Sequence, residues 1–484
     1  MFHKKKLLIN KKDFYSSVTS FALAVPILFS LTTLPVFAVS NDEIMNELQR
    51  LKLRVQKVEN KLAETEKKLI KTKNVLLETQ NDLLDAQAIV KKQNNIKFSK
   101  KTGAPEFLSD DGKSSIALTG RVMLDTAMLP DQYSKGKLSS NKYTSAQTDS
   151  ELRRAYIGVE GTFWEDWAYE LSLDIAENEV DIKDANITFG GYKNHDISVG
   201  YQKPAFGLEN STSSKYSLFM ERGLTDVFSP NRDLGISWRY KEDWGMLKVG
   251  AYIPNSIDTR DDGTHRADAY HYTGRITYVP IETSKQVLHM GASGAYSNYN
   301  RKDRIDYDVR PESHLSQKII GTRDINDPDS TKLYALEAAY LGYGFLIQAE
   351  YVNSHTSGFY DSDTKKNTYE YDAWYISGAY MLTGEFHPYK KKNGTFSSIK
   401  PYQPLSKGGW GAWELAVRFS SIDLNDNDKN GGKLDDLTLA LNWYIENNLK
   451  VKFEYINYDA DNYQDGYIDA QDEHIIQTRI QWFF

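Results

Sequence analysis

The sequence predicts an all-β transmembrane barrel of 16 antiparallel strands, preceded by an α-helical coiled coil. Three observations predict it. A two-residue apolar alternation runs from Ser114 to Phe484, a seven-residue repeat runs from Ile44 to Val90, and an export leader precedes both.

The leader is "MFHKKKLLINKK", a basic start, followed by the apolar "VTSFALAVPILFSLTTLPVFA". Val36-Phe37-Ala38 offers a signal-peptidase site, so residues 1–38 read as a signal peptide. An uncleaved anchor is the competing reading, weakened by Pro26 and Pro35. Past this point no apolar run approaches the roughly 20 residues of a membrane helix, and mean hydropathy is −0.57. With no cysteine, the chain has no disulfides, thiolate metal sites or thiol nucleophile. The formal charge is −7, and removing the five lysines and one aspartate of 1–38 takes it to −11. No nucleic-acid partner is expected.

Residues 39–92 read as a coiled coil. One seam position holds Leu48, Val55, Leu62, Leu69, Leu76, Leu83 and Val90. Its companion holds Ile44, Leu51, Val58, Thr65, Thr72, Thr79 and Ala86. The repeat implies self-association, leaves the strand number open, and is weakened by its Thr layers. Residues 93–113, with Gly103, Pro105 and Gly112, read as a linker.

Residues 114–484 alternate. Tyr169, Leu171, Leu173 and Ile175 oppose Glu170, Ser172 and Asp174, and Trp413, Leu415, Val417 and Phe419 oppose Glu414, Arg418 and Ser420. The closing "IIQTRIQWFF" sets Ile476, Ile480, Trp482 and Phe484 against Gln477, Arg479 and Gln481. A soluble β-sandwich also alternates. Segments of about 10 residues, aromatic ends and an opposite face mixing charges with small residues instead fit an apolar outer band, aromatic girdles and a polar lumen. Strands are expected to start near 116, 151, 166, 181, 195, 234, 245, 268, 285, 331, 343, 370, 411, 434, 449 and 472. Gaps after even-numbered strands are short except 384–410, and the longest others are 129–150, 203–233, 255–267 and 299–330. Short periplasmic turns and long external loops give that rhythm.

Several stretches resemble the phosphate-selective porin family, trimeric anion porins of Gram-negative outer membranes. They include "SELRRAYIGVEGTFWEDWAYELSLDIAENEVDIKDANITF", "SVGYQKPAFGLENSTSSKYSLFMERGL", "FSPNRDLGISW" and "LNWYIENNLKVKFEY". The resemblance spans most of 114–484 and leaves the coiled coil outside it. It implies that the third external loop, about 203–233, folds into the lumen as a constriction lined by Lys215 and Arg222. It also implies charged lumen positions at Arg153, Arg154 and Asp184. A basic periplasmic turn tucked inward would account for the long gap at 384–410, with Lys390, Lys391, Lys392, Lys400 and Lys407. Partners implied are outer-membrane lipid and lipopolysaccharide, small anionic solutes and two further copies in a homotrimer. A terminal aromatic strand is, in the same barrel class, the signal read by the assembly machinery.

Parity supports part of this. Arg154 and Asp184 oppose apolar neighbours and face inward, whereas Arg153 falls on the other parity, at a bend or the interface. Arg239, Lys248, Arg275, Arg418 and Arg479 also face inward, as do Glu160, Glu170, Asp174, Glu337, Glu350, Glu414 and Glu454. This mixed wall predicts weak anion preference, not strict phosphate selectivity. Lys215 as a solvated loop charge, and Glu221–Arg222 as a shape-fixing salt bridge, are the bland alternatives.

No catalytic constellation, metal site or cofactor site emerges. His265, His271, His289 and His355 occur singly, and "GASGAYSNY" lacks the strand-turn-helix setting of a hydrolase nucleophile. Acidic runs such as "DLNDNDKNGG" read as solvated loops without calcium-loop spacing. Two functions are expected: a passive anion-preferring diffusion porin, or a structural barrel whose coiled coil tethers the membrane to the cell wall or a partner.

Overall fold

The computed structural model describes residues 41–93, 96–98, 104–130, 147–176, 180–253, 270–299, 304–323, 325–359, 366–427, 429–461 and 470–484. The expected signal peptide, the loop 255–267 and residues 462–469 of the last acidic run lie outside the described residues. The chain divides into two compact units at Ile89–Val90.

The described part of the first unit is helical, and its helix α1 spans Asn41–Gln93. Asp42 and Glu43 in its first turn suit the positive end of the helix dipole. Glu64 and Lys68, four residues apart, pair at 2.8 Å. Its seam is open to solvent, with Leu48 58% and Leu69 69% exposed.

The second unit is built on strands β1 (Ser115–Leu129), β2 (Gln147–Phe163), β3 (Trp167–Asp174), β4 (Asp181–Phe189), β5 (His195–Gln202), β6 (Asp233–Glu242), β7 (Gly245–Ile253) and β8 (Tyr270–Glu282). They continue as β9 (Gln286–Asn298), β10 (Ile325–Gly342), β11 (Phe345–Phe359), β12 (Lys366–Met381), β13 (Ala412–Asp426), β14 (Lys429–Tyr444), β15 (Leu449–Asp461) and β16 (Ala470–Phe483). Each strand pairs antiparallel with the next. β16 then pairs with β1, from Ile476↔Met128 to Phe483↔Arg121. This is a closed barrel of 16 strands, and closure removes every edge that lipid would leave unpaired.

The terminal residue completes the seam. Gly120 and Phe484 exchange two backbone hydrogen bonds of 3.0 Å. A Cβ at position 120 would lie 2.4 Å from the Phe484 ring, so only glycine admits that ring there. Ile476, Ile480 and Trp482 point outward at 53, 49 and 44% exposure, while Gln477, Arg479 and Gln481 are buried inside. The same outward exposure recurs at Leu171, Ile187, Val199, Ile276, Met290, Leu336 and Leu415, forming the apolar face a bilayer requires.

Turns follow the expected rhythm. Tyr343 and Gly344, at φ 53° and 86°, join β10 to β11 in the tight turn that matches strand twist. Part of the expected linker is ordered: Ile96–Phe98 pairs with Pro105–Leu108, which pairs with the start of β1 beyond the end of β16. The wall is uneven. Strands β3–β7 have 8 to 10 residues, whereas β8–β16 have 13 to 18.

Candidate functional site in the barrel lumen

Residues 203–232 leave β5 and reach the inner faces of β11 and β13–β16 before returning to β6. Leu208, Leu218 and Phe219 are buried against Val279, Val287, Ala339, Leu346, Ala379, Ala416 and Ala440. Those alanines point inward on β10, β12, β13 and β14, and their small side chains leave room for the loop. Polar strand residues then satisfy the loop backbone. Glu350 accepts from the N–H of Leu208 and, at 3.0 Å, of Glu209. Glu454 accepts from Met220 N at 2.6 Å. Lys452 donates to the carbonyls of Ser217 and Phe219 at 2.8 and 2.6 Å, Asn442 to Leu218 O at 3.0 Å, and Gln481 to Lys215 O at 3.0 Å. Buried backbone groups in a loop must find such partners, and here the wall supplies them.

Glu221 is the electrostatic centre of the loop. Arg153 binds it bidentately at 3.0 and 3.1 Å, Arg479 reaches it at 2.6 Å and Arg154 at 3.8 Å. Arg479 also holds Asp125 at 2.6 and 2.7 Å. Burial pushes the Glu221 carboxyl up, but the three arginines pull harder and hold it well below its ordinary value of 4.5. Glu209 goes the other way: burial raises it, and Arg418 with the Gly223 N–H only partly offsets that. Burial beside Arg222 and Arg232 lowers Lys203 well below the usual lysine range.

The expected site residues divide. Arg153 and Arg154 both reach Glu221. Arg153 takes the bend that parity allowed: Met123 faces Arg154 and Leu124 faces Leu152, so Arg153 is the extra residue of a bulge and its side chain enters the lumen. Asp184 is bound bidentately by Arg232 at 3.2 and 3.0 Å. Glu221 and Arg222 do not pair with each other. Arg222 instead binds Asp226 at 3.1 Å and donates to Glu209 O at 2.9 Å. Lys215 Nζ sits 5.6 Å from the Tyr216 ring centre and 5.8 Å from that of Phe483. Lys215 and Arg222 line one cavity, and Arg222 also lines a second.

The long turn 382–411 also enters the lumen. Arg275 donates to the carbonyls of Asn393 and Gly394 at 3.3 and 2.7 Å, and the Tyr389 hydroxyl lies 2.6 Å from His289 Nδ1. Lys391 pairs with Glu282, while Lys392, Lys400 and Lys407 are exposed, as is Lys390, which also has a partner.

Sequence reasoning missed a second inward loop. Within 304–323, Tyr307 packs edge-on to Phe228 at 5.0 Å, joining the two loops. Glu312 takes Arg418 at 2.9 Å and Thr438 at 2.6 Å, and also accepts from Ser420. Arg418 in turn reaches Glu209 at 3.3 Å, so one guanidinium ties both loops to β13. His314 approaches Glu151 on β2 at 2.8 Å, across the mouth from the strands that launch its loop. Inward alanines, and apolar residues such as Tyr307, Val309, Ile319 and Ile320 in a polar loop, were the available signals. Among the described residues no cluster of three or more potential metal ligands occurs.

Residues 131–484 match the family described as phosphate-selective porin O and P. An uncharacterised protein of Caulobacter vibrioides is 30% identical over 373 residues, covering 75% of this chain and 71% of that protein. Porin O of Pseudomonas aeruginosa is 25% identical over 425 residues, covering 80% of this chain and 92% of that protein. Among solved structures, a loop L8 deletion mutant of OmpT, an outer membrane protein of Vibrio cholerae, aligns over 77% of this chain and 100% of its own at TM-score 0.49 and 12% identity. By its match over most of its length, the chain belongs to the phosphate-selective porin O and P family.

Proposed function

We propose that this outer-membrane channel passes small hydrophilic solutes with a modest preference for anions, phosphate included, and that the loop 203–232 narrows its passage. The carrying observation is at Glu221: Arg479, itself fully covered, helps to neutralise it, while Arg153 and Arg154, with 16 and 13% of their side chains exposed, offer more positive charge than Glu221 cancels. Such an excess of fixed positive charge replaces part of an anion's lost hydration, and guanidinium can hold phosphate bidentately. Asp184, already neutralised by Arg232, tempers the site instead of reversing it. Lys215 and Arg222 contribute beside the cavities, and the exposed Lys392, Lys400 and Lys407 bias the turn-side mouth. In this reading the barrel works as a homotrimer in lipid and lipopolysaccharide, with the helix in the periplasm. It is a channel, not an enzyme.

Single-channel zero-current potentials in a salt gradient test it. Wild type should show the anion sign, and Lys215→Glu and Arg154→Glu should each move the potential toward cations. A cation sign in wild type, or no movement in either variant, removes the proposal. A second reading, a structural tether, is favoured by the long helix α1 with its open seam. Deleting 41–92 would then spare conductance and weaken attachment of the outer membrane to the cell wall.

A further inference from the structure

The loop 304–323 is held to the two sides of the mouth by different chemistry. On β13 and β14 the hold is permanent. Val309, Ile319 and Ile320 are buried with Ile422 of β13 and Leu434 of β14. Glu312 is bound by Arg418 of β13, a guanidinium that keeps its charge at every working pH. Gln477 of β16 adds a hydrogen bond to the Glu312 carbonyl at 3.3 Å. On β2 the hold is an imidazole instead. His314 Nδ1 lies 2.9 and 2.8 Å from the two carboxylate oxygens of Glu151. The two side chains are 28 and 19% exposed, so water and protons reach the contact.

The charges packed around this contact are committed elsewhere. On β1, Asp125 stands directly across from Glu151, and like charges so placed repel. Arg479 of β16 is shared between Asp125 and Glu221. Arg153 of β2 feels the charge of Glu151 but gives its guanidinium to Glu221. In the loop 203–232, Arg222 pairs with Asp226 at 3.1 Å. Within 304–323, Lys318 pairs with Asp308 at 2.9 Å, and Arg310 donates to the His314 carbonyl. Among the described residues, the ion-pair partner of Glu151 is His314.

Imidazole is the side chain whose charge ordinarily changes between about pH 5 and 8. When it is protonated, such a contact is a charge-assisted hydrogen bond, roughly twice as strong as a neutral one. The added charge also offsets the repulsion between Glu151 and Asp125. When it is neutral, one N–H of one tautomer remains and that repulsion returns. The backbone beside the contact is strained: Glu312 holds φ 30°, a conformation that persists only while surrounding contacts enforce it. Weakening the contact lets this segment relax away from β2.

We propose that the loop 304–323 is an acid-closed lid: protonated His314 latches it to Glu151 across the mouth, and rising pH releases it. The inference rests on the channel reading and not on anion preference.

Single-channel recording of the full-length protein at about pH 5.5 and about pH 7.5, either side of the usual imidazole midpoint, tests it. Wild type should show lower conductance and longer closures at the acid pH, reversed on return. His314→Gln and Glu151→Gln should lose this response and stay open at both, whereas His314→Arg should stay latched at both. The cysteine-free chain supplies a second arm in Glu151→Cys with His314→Cys. Oxidation of that pair should hold the low-conductance state at both pH values, and reduction should reopen it. An unchanged wild-type conductance, a response that survives in His314→Gln, or an oxidised pair that conducts like the reduced one would each overturn the latch. The zero-current potential reports anion preference separately: an anion sign without a pH response removes the lid alone.

Discussion

Two walls of the same barrel treat charge in opposite ways. On β3 of the short wall and on the adjoining β2, Glu170 and Glu160 face the lumen and remain exposed. On the tall wall, Glu337, Glu350 and Glu454 are only 3 to 5% exposed, Glu414 is 0%, and Arg275, Arg418 and Arg479 are equally covered. Both walls obey the same inward alternation. The difference is the two loops and the turn, which lean on the tall wall and convert its charges into anchors. Lumen charge read from parity therefore conflates two kinds of residue: those that hold loops and those a passing ion can meet.

Removing an anchor should have the largest effect. Arg479→Ala strands Asp125 inside and weakens the hold on Glu221, so it should destabilise the barrel by about 3–5 kcal/mol, the usual cost of unpairing a buried charge. Thermal unfolding in detergent measures it. Glu350→Gln keeps the shape but weakens the acceptor for two loop N–H groups, a loss of about 1–3 kcal/mol. The loop should then fluctuate, giving noisier and larger single-channel currents.

Acid should act on the loop in two steps. Glu209, raised above 4.5, favours the fold when protonated, and that contribution is lost as pH rises through its raised value. Glu221, held well below 4.5, stabilises fully above 4.5, and its contribution is lost as pH falls through its depressed value. Acidification from neutrality should first relieve Glu209 and only well below pH 4.5 release the Glu221 anchor. Melting temperature against pH should show that late drop, and Glu221→Gln should lack it. The smallest effect belongs to the short wall: Glu170→Gln should change stability by less than about 0.5 kcal/mol, as exposed substitutions do, while nudging selectivity toward anions.

Much of the barrel was legible because alternation and turn spacing are local. All 16 strands lie where the pattern put them, and the aromatic end at Trp482 and Phe484 closes the sheet as its two faces implied. The off-parity place of Arg153 comes from one bulge, whose lumen-facing outcome parity alone left open, since a single extra residue inverts parity and leaves no mark in composition. The partners of Glu221 were hidden for another reason. They are set by how the loop folds across the lumen, joining residues 68 and 258 positions apart in sequence. Glu312, in a loop whose charges looked evenly mixed, gave no local hint that Arg418 would claim it.

The central claim is that solutes travel along the short wall while the tall wall is sealed by its loops. Single cysteines in this cysteine-free chain test it directly, read as current block by a negatively charged methanethiosulfonate during single-channel recording. Glu160→Cys and Glu170→Cys should react fast and shift the current, whereas Ala379→Cys and Ala416→Cys, beneath the loop, should stay protected. Equal reactivity on both walls, or faster reaction at Ala379→Cys, would contradict the account.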